Sequence, residues 1–409
     1  MDRDDSPTST SVTPAAEVES PPAAGPGQPI GAGIVTALVG FTSSFAVVLA
    51  GLTAMGATSA QAASGLLAVC VTQAVGMLVL SRRYRMPITL AWSTPGAALL
   101  ASTGAVAGGW AAAVGAFAVA GGLIVLTGFW DRLGALIAAI PVEIAQAMLA
   151  GVLLPLCLAP VKALPVSPAV VVPVIVTWLV LQRFAPRWSV LAAFAVAAIG
   201  SGIDIAVRHR SLELSAMLPR VEWTVPHWSW QALIGVAVPL YVVTMAAQNI
   251  PGTAVMRTFD YRVPWRAAMT VTGLGTVLGA SAGGHAINLA AISAALSAAP
   301  SAHPDPKRRW VAAYTAGCTY LLLALASGAL VALVAAAPKG VLETVAGLAL
   351  IATLASALTA ALTPAAHRSA AALTFLVAAS GISMLGIGAA FWALVAGLVV
   401  RWFLPPATA

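Results

Sequence analysis

The chain has 409 residues, of which 60% are hydrophobic and only 8% charged, with a formal net charge of +7 and a mean hydropathy of +0.94. Soluble domains carry about 25% charged residues, so a water-soluble globule is excluded: its surface could not be covered. The positive balance does not indicate nucleic acid, because Lys and Arg fall in short clusters between apolar stretches, as in membrane loops that obey the positive-inside rule.

Residues 1–29 are rich in Pro, Ser, Thr and Ala, and carry Asp2, Asp4, Asp5, Glu17 and Glu19 against a lone Arg3. They contain no apolar run that would make a signal peptide, and the expectation is a disordered cytoplasmic tail. Beyond them, stretches such as 31–56, 111–130, 311–337 and 385–404 each reach the roughly 20 residues that cross a bilayer. Basic residues follow every second span: Arg82, Arg83 and Arg85; Arg132; Arg183 and Arg187; Arg257, Arg262 and Arg266; Lys307, Arg308 and Arg309; Arg368; Arg401. The other side receives only Lys162, Arg208, Arg210, Arg220 and Lys339. This asymmetry requires an even number of crossings, about fourteen, with both termini cytoplasmic in an inner membrane. The fold class expected is an all-α polytopic membrane protein.

The longest polar connection, 205–228, separates a first repeat (30–204) from a second (229–404), each with about seven spans. An odd number per half inverts one half relative to the other, a recurring transporter construction with its site between broken helices near the midplane. The third span reads PITLAWSTPGAALLASTG from Pro87 to Gly104. Pro95 lacks a backbone donor and biases Thr94 towards extended geometry, so 88–93 reads as an extended stretch and 95–104 as a half-helix. The tenth span, GASAGGHAINLAAISAAL from Gly279, has Gly283 and Gly284 as breakers, and a half-helix is expected from about His285. The two breaks hold the same ordinal place in each half. The first span (GFTSSFAVVLAG, 40–51) and the eighth (PLYVVTMAAQNIPG, 239–252) form a looser pair, each with a polar cluster inside apolar sequence.

Half-helix N-termini expose unpaired N–H groups and the positive end of the helix dipole, and two of them meeting at the midplane make an anion site. The backbone donors are then Thr94, Gly96 and Ala97 on one side and Gly284, His285 and Ala286 on the other. Ser93 and Thr94 add hydroxyls, as do Ser43 and Ser44 of the first span, while Asn288, Gln248 and Asn249 add amides. Small residues such as Ser43, Ser44, Thr89 and Ser293 also serve close helix packing. The apolar surroundings suit a small anion with a hydrophobic body. Three ionisable groups are candidates for proton coupling: His285, Glu143 and Glu343. The two acids also fit the first turns of the fifth and twelfth helices, where carboxylates are favoured.

Cys70, Cys157 and Cys318 lie in apolar stretches without CxxC spacing, so neither a disulfide framework nor a metal site nor a cofactor is expected. There is no HExxH, GxSxG or Walker A lysine. A membrane enzyme acting on a lipid would need clustered acids or histidines at an interface, and the sequence offers none. Without an ATPase signature, transport has to be driven by an ion gradient.

The motifs AWSTPGAALLAS (91–102), MAAQNIPG (245–252), GGHAINLAAISAAL (283–296) and AHPDPKRRWVAA (302–313) resemble the benzoate:proton symporters of bacteria, and the similarity runs from about residue 30 to 404. That family looks related to the nucleobase and sulfate transporters built from seven-plus-seven inverted repeats. The resemblance implies a core domain (spans 1–4 and 8–11) moving against a gate domain (spans 5–7 and 12–14). It also implies a substrate site between the third and tenth half-helices, with an aromatic carboxylate and a proton as cargo. In the nucleobase relatives, acidic residues of the eighth and tenth spans help bind substrate and couple protons. Here those spans offer Gln248, Asn249, His285 and Asn288, and a carboxylate substrate accounts for the missing acids because like charges would repel it. Another small anion or a nucleobase is the alternative cargo, and the sequence leaves a homodimer open.

Overall fold

Inside hydrocarbon no water is available to backbone N–H and C=O groups, so a chain this apolar has to satisfy them within its own helices. In the computed structural model, which describes residues 27–208 and 217–404, it does so almost everywhere. The first span, Gln28–Ala54, is a helix interrupted at Ser43-Ser44. The second is Ser59–Tyr84, the fourth Gly109–Phe129 and the fifth Val142–Ala163. The sixth is Pro168–Phe184 and the seventh Ser189–Val207. In the second half the eighth span is Trp230–Thr258, the ninth Trp265–Ala280 and the eleventh Pro306–Leu325, continued after a 50° bend by Ser327–Ala336. The twelfth is Val341–Leu362, the thirteenth Ala365–Ala379 and the fourteenth Ala389–Phe403. Only the third and tenth crossings depart from this pattern, each as a short strand followed by a half-helix.

Local signals account for several ends. Thr58 accepts the Gln61 N–H and Gln61 accepts the Thr58 N–H at the start of the second span, a reciprocal cap that meets two otherwise unpaired donors. Its other end carries Arg82 and Arg83, cations placed at the negative end of the helix dipole. A short helix, Asp131–Ala138, bridges the fourth and fifth spans.

Packing reveals the inverted repeat directly. The fourth span packs on the ninth and the eleventh on the second, which are the same contact once spans of the two halves are exchanged in order. The fifth packs on the twelfth, its own counterpart. The fold is thus all-helical with seven-plus-seven inverted repeats, as expected from the charge pattern. Trp223, Trp228 and Trp230 stand exposed near one end of the bundle, and Trp130, Trp188 and Trp402 near the arginine-rich end, two aromatic girdles at the heights where a bilayer meets water.

Two boundaries differ from expectation. The first helix begins at Gln28, just inside the segment assigned to the tail, because Pro29 suits the first turn of a helix; residues 1–26 lie outside those described. The connection between the halves is described from Met217, and it is no free loop. The Glu222 N–H bonds to Ser64 Oγ, Thr224 N–H to the Ser281 carbonyl and His227 N–H to the Ala111 carbonyl. It therefore straps the ends of the second, fourth and ninth spans together.

Candidate functional site

The third and tenth crossings meet. Strand β1, Leu90–Trp92, pairs antiparallel with β2, Ile287–Leu289, in the register Leu90↔Leu289, Ala91↔Asn288 and Trp92↔Ile287. The ladder is flanked by bonds from Ser93 N–H to the Ala286 carbonyl (2.8 Å) and from Ala290 N–H to the Thr89 carbonyl (3.0 Å). The pattern is symmetric about Ala91 and Asn288, so the pseudo-two-fold that relates the repeats passes between these residues. Opposed residues share a face and neighbours alternate. Thr89, Ala91, Ser93, Ala286, Asn288 and Ala290 thus form a small, polar face, with Leu90, Trp92, Ile287 and Leu289 on the other.

The first half-helix, α1, runs from Thr94 to Thr103. Its start is set by Ser93, whose hydroxyl accepts the Gly96 N–H at 3.1 Å and the Thr244 hydroxyl at 2.9 Å. The Ala97 N–H is taken by the Ser93 carbonyl. Of the three donors expected on this side, Gly96 and Ala97 therefore serve the cap, and Thr94 makes no backbone bond through its N–H. Its hydroxyl, half-buried, makes no bond to the protein either.

The second half-helix, α2, is Ile292–Ala298, and this corrects the expectation that it opens at His285. Gly283, with φ of 87°, forms the turn ahead of the strand; the Gly284 N–H goes back to the Gly279 carbonyl. Gly284, His285 and Ala286 are therefore not helix-end donors but the approach to β2. Residues 287–289 instead pair with β1, and the ladder meets the backbone groups that a helix would otherwise have satisfied. A signal was present: GAALLAS (96–102) and SAALSAA (293–299) align, which places the second half-helix seven residues later than the glycines suggest.

Neighbouring spans hold the outward edges of the ladder. Asn249 Oδ1 accepts the Leu289 N–H at 2.8 Å, and Thr276 Oγ1 accepts the Ile287 N–H at 3.0 Å. Asn249 lies in a π-helical turn, Met245–Asn249, of the eighth span, the kind of irregularity that recurs at functional sites. Its Nδ2 donates to Met245 Sδ at 3.2 Å. Trp92 Nε1 donates to Ser44 Oγ at 2.8 Å, while Ser43 bonds only within its own helix, to the Gly40 carbonyl. Thr244, Thr276 and Trp92 were not singled out from sequence, since a hydroxyl or indole in a membrane helix looks the same whether it braces a strand or bonds its own turn.

Four predicted groups remain without a full complement of partners. His285 is 1% exposed and neither ring nitrogen makes a hydrogen bond of ordinary geometry; the Ala286 backbone lies beside the ring. Asn288 donates to the Leu289 carbonyl at 2.8 Å, but its Oδ1 has no donor. Thr94 and Gln248 are half-buried and unbonded. Buried polar groups are normally paired, and the exceptions call for an explanation. The other two ionisable candidates lie elsewhere: Glu143 pairs with Arg401 of the fourteenth span at 3.0 Å, and Glu343 is exposed in the first turn of the twelfth.

The half-helices are also fixed by close contacts and charge. A Cβ on Gly51 of the first span would stand 2.5 Å from the Ala97 carbonyl oxygen. Gly51→Val should therefore push α1 off its seat, at a cost of about 1–3 kcal/mol typical of overpacking, visible as a lowered melting temperature and slower transport. At the end of α2, buried Arg309 donates to the carbonyls of Ala298, His303 and Pro304 at 2.9, 2.7 and 3.2 Å, a cation on the negative end of the half-helix.

A cleft of about 1000 Å³ opens at the arginine-rich end, between the Asp131–Ala138 helix and the eighth and ninth spans. Arg257, Asp260 and Arg262 line it, and it reaches inward to Thr127 and Met245. Met245 is the residue that accepts from Asn249, so the cleft ends one side chain away from the strand pair.

Comparison with known proteins follows the same lines. The family model described as benzoate membrane transport protein matches residues 25–403. The inner membrane protein YdcO of Escherichia coli is 37% identical over 369 residues, covering 90% of this chain and 93% of that one. The benzoate membrane transport protein of Acinetobacter baylyi is 29% identical over 344 residues, 82% of this chain and 85% of that one. Among solved structures, the transmembrane domain of a cyanobacterium bicarbonate transporter, BicA, superposes with a TM-score of 0.59 at 16% identity, over 91% of this chain and 97% of that one. SLC26A9 superposes with a TM-score of 0.59 at 13% identity, over 91% of this chain and 65% of that one. The two structures share the fold.

Proposed function

Because the chain belongs to the benzoate membrane transport protein family, we propose that it imports benzoate, or a close aromatic carboxylate, together with a proton. The observation that carries this reading is the crossing of spans three and ten. There a half-helix N-terminus, a free threonine and a free glutamine adjoin the small, polar face of the strand pair, and the apolar Leu90, Trp92, Ile287 and Leu289 form the other. The Thr94 N–H and hydroxyl and the Gln248 amide are the donors for the carboxylate, aided by the positive end of α1. The ring fits the apolar surroundings, with Met245 at the inner end of the cleft. No acid competes with the anion at the crossing, since Glu143 and Glu343 are placed elsewhere.

His285 is the group proposed to carry the proton. Its buried ring has the Ala286 backbone beside it and no side-chain partner, and an intramembrane ionisable group is a functional candidate by default. Spans 1–4 with 8–11 act as the core, and spans 5–7 with 12–14 as the gate. By the positive-inside rule the arginine-rich end faces the cytoplasm of an inner membrane, so the cleft there serves as the cytoplasmic exit and both termini lie on that side.

Purified protein in liposomes should accumulate labelled benzoate when an inward proton gradient is imposed. Uptake that ignores the gradient would defeat the coupling assignment. Competition by substituted benzoates, but not by uracil or sulfate, is the expected specificity; the reverse order would replace the cargo.

A further inference from the structure

A second polar cavity lies at the arginine-rich end, away from the crossing. It has a volume of about 350 Å³ and forms where three span ends converge: Pro29 of the first, Arg85 just after the second, and Trp310 with Val311 of the eleventh, closed by His303 and Arg308. The Arg85 guanidinium stacks 4.3 Å above the Trp310 ring, which holds it over the opening. His303 is only 5% exposed. Its Nδ1 accepts the Asp305 N–H at 3.0 Å and also lies 3.2 Å from the Asp305 carbonyl; the shorter contact favours the neutral tautomer protonated on Nε2. That Nε2–H has no partner. Two guanidinium groups and a buried, unused N–H donor therefore line one cavity, and no carboxylate is among its lining residues.

We propose that this cavity binds the phosphate of an anionic phospholipid headgroup from the cytoplasmic leaflet. The donors have the character that a phosphodiester requires: two planar, charged forks and one neutral N–H. A lipid is favoured over free phosphate by what adjoins the cavity. Between the same second and eleventh spans runs a further hollow of about 510 Å³, lined by Leu78, Val79 and Tyr314 together with Arg82 and Arg83. Tyr314 stacks edge-on against Trp310, with ring centroids 5.9 Å apart, so the hollow continues from the headgroup cavity along the bundle. Arg82 and Arg83 sit in the last turn of the second span, and one turn deeper Leu78 and Val79 offer an acyl chain apolar contact. Basic pockets between span ends on the cytoplasmic side are suited to anionic headgroups. The neighbouring Arg309 is spent on carbonyls at the end of α2 and takes no part.

Native mass spectrometry of the detergent-purified protein, titrated with phosphatidylglycerol or phosphatidylcholine, tests this. Wild type should retain one phosphatidylglycerol well above phosphatidylcholine. An R85A/R308A variant should bind it about thirtyfold more weakly, as the loss of two interfacial arginines implies. An R132A/R266A variant, with the same charge removed elsewhere on that end, should bind as wild type does. Both variants need the wild-type melting temperature in lipid-free detergent. Equal weakening in the two variants, or equal retention of the two lipids, would overturn the site. Displacement of phosphatidylglycerol by inorganic phosphate at equal concentration would instead make it a free-phosphate site and overturn the lipid assignment.

Discussion

A variant with Leu in place of His285 should lose proton-driven accumulation of benzoate while unfolding at the same temperature as wild type or higher. The imidazole is buried and neither nitrogen makes a hydrogen bond of ordinary geometry, and an unsatisfied buried polar group costs about 1–3 kcal/mol. Exchange for an apolar side chain of similar size removes that cost and leaves no partner orphaned. A histidine kept for packing would behave oppositely, with stability falling and transport following it. Thermal unfolding in detergent and gradient-driven uptake in liposomes, measured on the same preparation, separate the two. Uptake at the wild-type rate in the Leu variant would remove His285 from the mechanism.

Asn249→Leu should instead lose stability and transport together. Its Oδ1 is the acceptor for the Leu289 N–H, and its Nδ2 binds the Met245 sulfur. Substitution leaves a strand N–H without an acceptor where water cannot replace it, at a cost of about 1–3 kcal/mol. The expected readouts are a lowered melting temperature and uptake reduced in proportion to the displaced strand. Wild-type stability in this variant would mean that β2 is held without the eighth span.

Much of this architecture could be read from residue order. The alternation of arginine clusters implied the crossings, and Ser93-Thr94-Pro95 marked α1 within a residue, because a serine cap and a proline in the first turn act locally. The second half-helix was misplaced for the complementary reason. His285 to Asn288 contains no breaker, and only its pairing with Leu90–Trp92, nearly two hundred positions away, makes it a strand. Separations of 40 and 151 positions likewise hid the Asn249–Leu289 and Thr244–Ser93 bonds. Long separation also hid the pairing of Glu143 with Arg401, whereas the consumption of the Gly96 and Ala97 donors by Ser93 is local and follows from the serine cap itself. Residue types identified the candidates for the site; their partners decided which of them remain available to a substrate.

The strand ladder between the third and tenth crossings has a mechanical consequence. Its inter-strand bonds lie where nothing else can replace them, so the two crossings cannot be pulled apart during a transport cycle at any acceptable energy. Whatever displacement carries cargo from one side to the other must move both half-helices as a single piece, with Thr94 and His285 keeping their mutual geometry throughout. The bilayer thus acts as the clamp: by withholding competing hydrogen bonds, it turns six residues of strand into a rigid cradle that travels whole.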